Sequence, residues 1–178
     1  YTIELVEERK RALVYDYQEN GDFDFLPVFD GVNVLEKCRV LRSEYSYKDF
    51  MDIAENFFFG KGYLIVCEEA SNMFPSNAKD NRVNDFLLSK RHKKIDFLLN
   101  FHAPDMMPCF IKAYTDMVVV RECMGGEYHM KKKFNKQVGD LAVKCTNNSR
   151  AWYIVGVSNI TKGLLVVNHF DGELLSDK

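Results

Sequence analysis

Residues 63–75 read YLIVCEEASNMFP: an apolar run, a cysteine, two adjacent glutamates (Glu68 and Glu69) and a short polar segment. An apolar run without polar alternation describes a strand buried on both faces, as in a covered parallel sheet. The acids at its exit have two readings. In one, the strand carries a metal-coordinating acid and a water-polarising acid to a ligand at its carboxyl end. In the other, the strand simply passes into a solvated loop, and the rest of the chain must decide between them.

The 178 residues are 47% hydrophobic, enough for one well-buried core and short for two domains. With 24 Lys and Arg against 26 Asp and Glu, no global charge announces a nucleic-acid or membrane partner. Cys38, Cys67, Cys109, Cys123 and Cys145 lie scattered, mostly in apolar runs, without CxxC or Cys/His metal spacing, and read as reduced core thiols. No apolar run approaches the roughly 20 residues of a membrane-spanning helix, and no signal peptide is visible. The expectation is a soluble protein of a cytosolic-type, reducing environment.

Upstream of the opening stretch, TIELVEERKR has the pattern of a short amphipathic helix, and the chain begins as if in mid-fold. RALVYDY from Arg11 reads as a buried strand tipped by Asp16, and KCRVLRSE (37–44) as a shorter one. Between them NGDFDFLPVFDG looks irregular. Ser46 is placed to cap a helix in which Phe50, Ile53, Ala54, Phe57 and Phe58 recur at helical spacing, ended by Gly60 and Gly62. Downstream, DNRVNDFLLSKRHKK fits a helix with a basic end, IDFLLNF a strand, MMPCFIKAY a short helix and DMVVVRE another strand. Alternating strands and helices with near-uniformly apolar strands predict an α/β fold, a mainly parallel sheet with helices on both faces. Past Gly126, GEYHMKKKFNKQ is basic and helical or irregular, while GDLAVKC, RAWYIVGV and GLLVVNHF look like strands, either late sheet strands or a small antiparallel addition.

In a doubly wound sheet, ligands bind beyond the carboxyl ends of the strands. Asp16, Glu68, Glu69 and His102 all fall at such ends. In that order the chain resembles the additional-strand P-loop ATPases of the FtsK/HerA type, which include the Zot-like ATPases of filamentous phage and viral packaging ATPases. YLIVCEEA resembles their Walker B strand, KRHKKIDFLLNFHAP their basic Arg-His element and the strand ending in a polar sensor, FIKAYTDMVVVRE the helix, acid and last core strand that follow, and RALVYDY the strand after their first helix.

The resemblance covers roughly residues 1–122 and implies a single RecA-like domain over 1–178, with that core and with C-terminal strands and a basic segment over 123–178. It implies Glu68 as the Mg²⁺ acid, Glu69 as the acid that polarises the attacking water, His102 as the phosphate sensor, Asp16 at the nucleotide-binding edge and Arg91 as an arginine finger across a subunit boundary. ATP and Mg²⁺ are the implied cofactors. The implied activity is ATP hydrolysis coupled to DNA translocation, packaging or phage assembly, by a homo-oligomeric ring, a hexamer, acting on DNA or virion components.

Each residue also has a plainer reading. His102 can be satisfied by a nearby carbonyl, Arg91 can be a solvated helix end, and Lys131 to Lys133 with Lys136, Tyr128, His129 and Phe134 can be a solvated face as readily as a phosphate-backbone contact. Trp152 and Tyr153 read as core. The chain contains no GxxxxGK[ST], the loop that cradles phosphates in these ATPases. Nucleotide binding by the chain as written is therefore expected to be poor, and hydrolysis is expected only if that loop lies upstream. The competing expectation is a non-catalytic α/β domain, structural or interacting.

Overall fold

Four apolar runs form parallel strands: β1 (Ala12–Asp16), β2 (Lys37–Leu41), β3 (Leu64–Cys67) and β4 (Asp96–Leu99), ordered β2-β1-β3-β4. The computed structural model describes residues 2–58, 60–73, 85, 87–88, 92–123 and 125–156, and the backbone of 165–170. It divides the chain into two units, Tyr1–Phe101 and His102–Lys178. The first holds the parallel sheet. Its central strands β1 and β3 are buried at every position, whereas β2 alternates and β4 is half-exposed, as edge positions allow.

Both faces of this sheet are covered. Ala12, Val14, Leu64 and Val66 point toward helix α1 (Thr2–Glu8) and cluster with its Val6 and with Phe23 and Leu26. On the opposite face Tyr15 stacks on Phe50 of α2 (Tyr47–Ile53) at 4.8 Å between ring centroids. Each of the buried valine and leucine side chains contributes about 1.5–3 kcal/mol of transfer free energy. Ser46 caps α2 with a reciprocal pair: its hydroxyl accepts from the Asp49 N–H at 3.3 Å, and the Asp49 carboxylate accepts from the Ser46 N–H at 2.9 Å. The helix then widens into a π-turn, Ala54–Phe58, which seats Phe58 edge-on against Tyr63. The helix expected over 80–94 falls largely outside the described residues.

The second unit departs from two expectations. DMVVVRE supplies β5 (Met117–Val120), but this strand does not continue the parallel sheet. It pairs antiparallel with β6 (Trp152–Gly156), which pairs antiparallel with β7 (Leu165–Phe170). A uniformly apolar run says nothing about which partner runs alongside, and here Met117 is exposed while Val120 is fully buried. GDLAVKC, expected as a strand, lies in a helix. After α3 (Gly126–Lys133), α4 spans Lys136–Asn147, with Asn135 Oδ1 accepting from the Val138 N–H at 3.0 Å as its cap. Counted from Val138 rather than Gly139, the buried residues Val138, Leu141, Ala142 and Cys145 follow helical spacing. Gly139 lets α3 approach closely, since a Cβ there would sit 3.0 Å from the Glu127 carbonyl oxygen. Among the described residues, no helix is long and apolar enough to cross a membrane.

Candidate active site at the carboxyl end of β3

Strand β3 is held on both sides by parallel ladders, to β1 and to β4, so the position of its exit is set by two neighbours. Glu68 follows directly, half-buried, with its N–H donating to the Tyr15 carbonyl at 3.3 Å. Glu69 comes next. It is only 9% exposed, and its backbone is left-handed, with φ 53° and ψ 54°. For a residue with a Cβ that conformation costs about 1–2 kcal/mol, and strain of this kind concentrates at functional sites. The chain then turns through a short 3-10 helix, Ala70–Asn72.

Asn100, which the sequence reading passed over, ties this turn to β4. Its N–H donates to the Cys67 carbonyl at 3.1 Å, its carbonyl accepts from the Ala70 N–H at 2.7 Å, and its Nδ2 donates to Glu68 Oε1 at 2.8 Å. The same Nδ2 lies 3.3 Å from Thr2 Oγ1 on α1. A carboxylate has no proton to give, so the amide nitrogen must face Glu68. The signal was present in the register. Leu99 lies opposite Cys67, so the residue level with Glu68 is Asn100 and not His102.

The other expected site residues are placed differently. His102 is exposed and opens the second unit. Arg91 lies outside the described residues. Asp16, 1% exposed at the end of β1, uses both carboxylate oxygens within the fold: Oδ1 accepts from the Glu19 N–H at 3.0 Å, and Oδ2 pairs with Arg39 Nη1 at 3.1 Å. Within the basic run, Lys133 donates to the carbonyls of Asp105 and Met107, and Lys132 lies 5.9 Å from the Tyr128 ring centroid. Burial pushes the thiols up, Cys38 to about 12 and Cys145 to about 11, with Cys67 also raised, as expected of reduced core thiols.

The Glu68 carboxylate and the Thr2 hydroxyl, gathered by one amide, are hard oxygen donors of the type Mg²⁺ takes. Mg²⁺ is usually held by one or two carboxylates with water and phosphates, so a pair of this kind fits it. Among the described residues, no group of three or more His, Cys, Asp or Glu forms a self-sufficient metal cage.

Compared with solved structures, the chain is similar to the genome packaging NTPase B204 from Sulfolobus turreted icosahedral virus 2. In the complex with ATP-gammaS the TM-score is 0.72 at 10% identity, covering 93% of this chain and 86% of that one. In the complex with sulfate it is 0.73 at 11% identity, covering 93% and 85%. B204, the DNA-packaging ATPase from Sulfolobus Turreted Icosahedral Virus, gives 0.70 at 11% identity, covering 93% and 86%. No family model and no curated protein matches the chain. The likeness establishes the fold class: an α/β chain built on a parallel sheet, as in the viral packaging P-loop ATPases. At such identity it carries nothing about the reaction.

Proposed function

We propose that this chain is the motor core of an ATPase of the FtsK/HerA type, hydrolysing ATP to move DNA or assemble virions. The observation that supports the reading best is the Asn100-to-Glu68 hydrogen bond at 2.8 Å, beside a buried, left-handed Glu69 at the carboxyl end of β3. Glu68, oriented by Asn100, would hold Mg²⁺, which when bound neutralises phosphate charge. Glu69, fixed by its strained turn, accepts a hydrogen bond from the attacking water and orients it toward the γ-phosphate. Asn100 is the positioning residue. Arg91 is assigned to a neighbouring subunit's site in a ring of copies, a hexamer. Asp16, committed to Arg39 and the Glu19 N–H, supports the nucleotide-binding edge by holding its loop.

The test is ATP turnover by the full-length protein and its Glu69→Gln variant. General-base loss predicts a fall of about 100-fold or more, with ATP binding retained. Turnover that survives the substitution removes Glu69 from the mechanism. Absence of both binding and turnover in the unmodified full-length protein supports the non-catalytic α/β domain instead.

A further inference from the structure

The loop that joins β1 to β2 is fixed to the first unit yet turns apolar side chains outward. Phe23, Leu26 and Phe29 anchor it: all three are buried, and Phe29 meets Phe57 and Phe58 edge-on at 5.6 and 5.7 Å. Along the outer edge of β2 the Phe29 N–H donates to the Arg39 carbonyl at 2.8 Å, and the Arg39 N–H to the Pro27 carbonyl at 2.9 Å. Asp30 Oδ1 closes the next turn by accepting from the N–H groups of Val32 and Asn33, at 2.9 and 2.7 Å. Between and beyond these anchors Phe25, Val28, Val32, Val34 and Leu35 are exposed, Val32 by 75%. They are five of the ten exposed large hydrophobic residues among those described, and they fall within eleven consecutive positions. Single exposed apolar residues are ordinary, whereas a cluster of them marks an interaction surface. Residues 19–36 also carry five acids and no Lys or Arg. Arg39 pairs with Asp24 and Lys10 lies 3.9 Å from Glu36, so the segment remains acidic.

We propose that this loop is one half of a head-to-tail contact between copies of this chain, and that the basic helix pair of a second copy is the other half. Residues 126–136 hold four lysines against one acid, Glu127. Lys133 is engaged by the Asp105 and Met107 carbonyls, whereas Lys131, Lys132 and Lys136 are exposed. Tyr128 is 64% exposed, and the Lys132 ammonium lies 5.9 Å from its ring centroid. This helix pair is as firmly held as the loop, since a Cβ at Gly139 of α4 would lie only 2.9 Å from the Cβ of Lys131 on α3. Charge decides the occupant. Two acidic loops repel each other, and so do two basic helix pairs, but loop and helix pair attract, with lysine stems and a tyrosine ring to cover the apolar residues. Such a contact uses different surfaces on the two partners, so each copy keeps one of them free for a further copy, the arrangement that builds rings. Because both surfaces are ordered before they meet, little loop ordering remains to oppose association. The contact supplies joining surfaces for the ring of the proposed function, but it rests on association and not on hydrolysis at Glu69.

The test is sedimentation velocity of the full-length protein over a concentration series, at low and at high ionic strength. Association that grows with concentration and weakens with salt is expected. Val32→Lys, at an exposed position, and the double variant Lys131→Glu with Lys132→Glu each place like charges in the contact, and each is expected to weaken self-association roughly tenfold or more. Mixed in equal amounts, the two variants are expected to form one-to-one pairs and nothing larger, because the intact helices of the first meet the intact loop of the second. Pairing also shows that both variants are folded. The proposal is overturned if the unmodified protein stays monomeric throughout, if neither variant alters its association, or if the mixture fails to pair. It is also overturned if the lysine variant loses binding to an oligonucleotide while its self-association is unchanged, which assigns α3 to nucleic acid instead. Turnover of Glu69→Gln reads hydrolysis alone, so this contact and that mechanism fail independently.

Discussion

Adjacent parallel strands β1 and β3 end alike in sequence, each an apolar run closed by an acid, yet the two acids have different surroundings. Asp16 is almost wholly buried and pairs with Arg39, whose side chain is only 13% exposed. Glu68 is half-buried and receives a neutral amide from Asn100, and the residue after it sits in a strained turn. A carboxylate matched by a buried cation holds a fold together. One that receives a neutral amide is oriented without being neutralised by that donor, and the sequence pattern alone does not distinguish the two settings.

The largest effect that would break the comparison is at Asp16. Asp16→Ala leaves Arg39 with the exposed Asp24 as its counter-ion and takes the acceptor from the Glu19 N–H, and is expected to destabilise the protein by about 3 kcal/mol, read from the midpoint of urea denaturation. Adding Arg39→Met should recover part of the loss, because the half-buried charge that has lost its buried partner goes with it. If Asp16→Ala costs no more than a surface substitution, the two strand ends do not differ as argued.

A smaller effect tests the strain at Glu69. Glu69→Gly and Glu69→Ala remove the same carboxylate, but only glycine adopts a left-handed backbone freely. The Gly variant should therefore be more stable than the Ala variant by about 1 kcal/mol, with neither restoring turnover. Equal stabilities would mean the turn relaxes when the side chain is shortened.

The third effect is absent at neutral pH. Tyr15 and Cys67 precede the two acids, and burial raises both, Tyr15 to about 12. Groups whose neutral form is favoured by folding stabilise the protein below their unfolded values, near 10.0 and 9.0, and lose that contribution as pH rises. Thermal stability should fall from about pH 9 upward. Cys67→Ala should blunt the first part of the fall and Tyr15→Phe the part above about pH 10. An unchanged profile in both variants would place the alkaline sensitivity elsewhere.

Much of the first unit was legible because its signals are short-range. The apolar runs at Ala12–Asp16 and Leu64–Cys67, the Ser46 cap and its Asp49 partner, and the glycines after Phe58 each act within a few residues. The second unit was harder. Reading GDLAVKC from Gly139 lost Val138 and the Asn135 cap, so a helix face looked like a strand, and the valines of Met117–Val120 could not announce an antiparallel partner more than thirty residues away.

By itself the sequence determined that the central strands would be buried on both faces, that acids would stand at their exits, and where the first helices begin. Those outcomes follow from side-chain hydrophobicity and local capping. Only the tertiary structure decided that Arg39, 23 residues from Asp16, neutralises one acid while Asn100, 32 residues from Glu68, orients another. Strand register fixes both pairings, and register is a property of neighbours brought together by the sheet, which no local window of sequence contains.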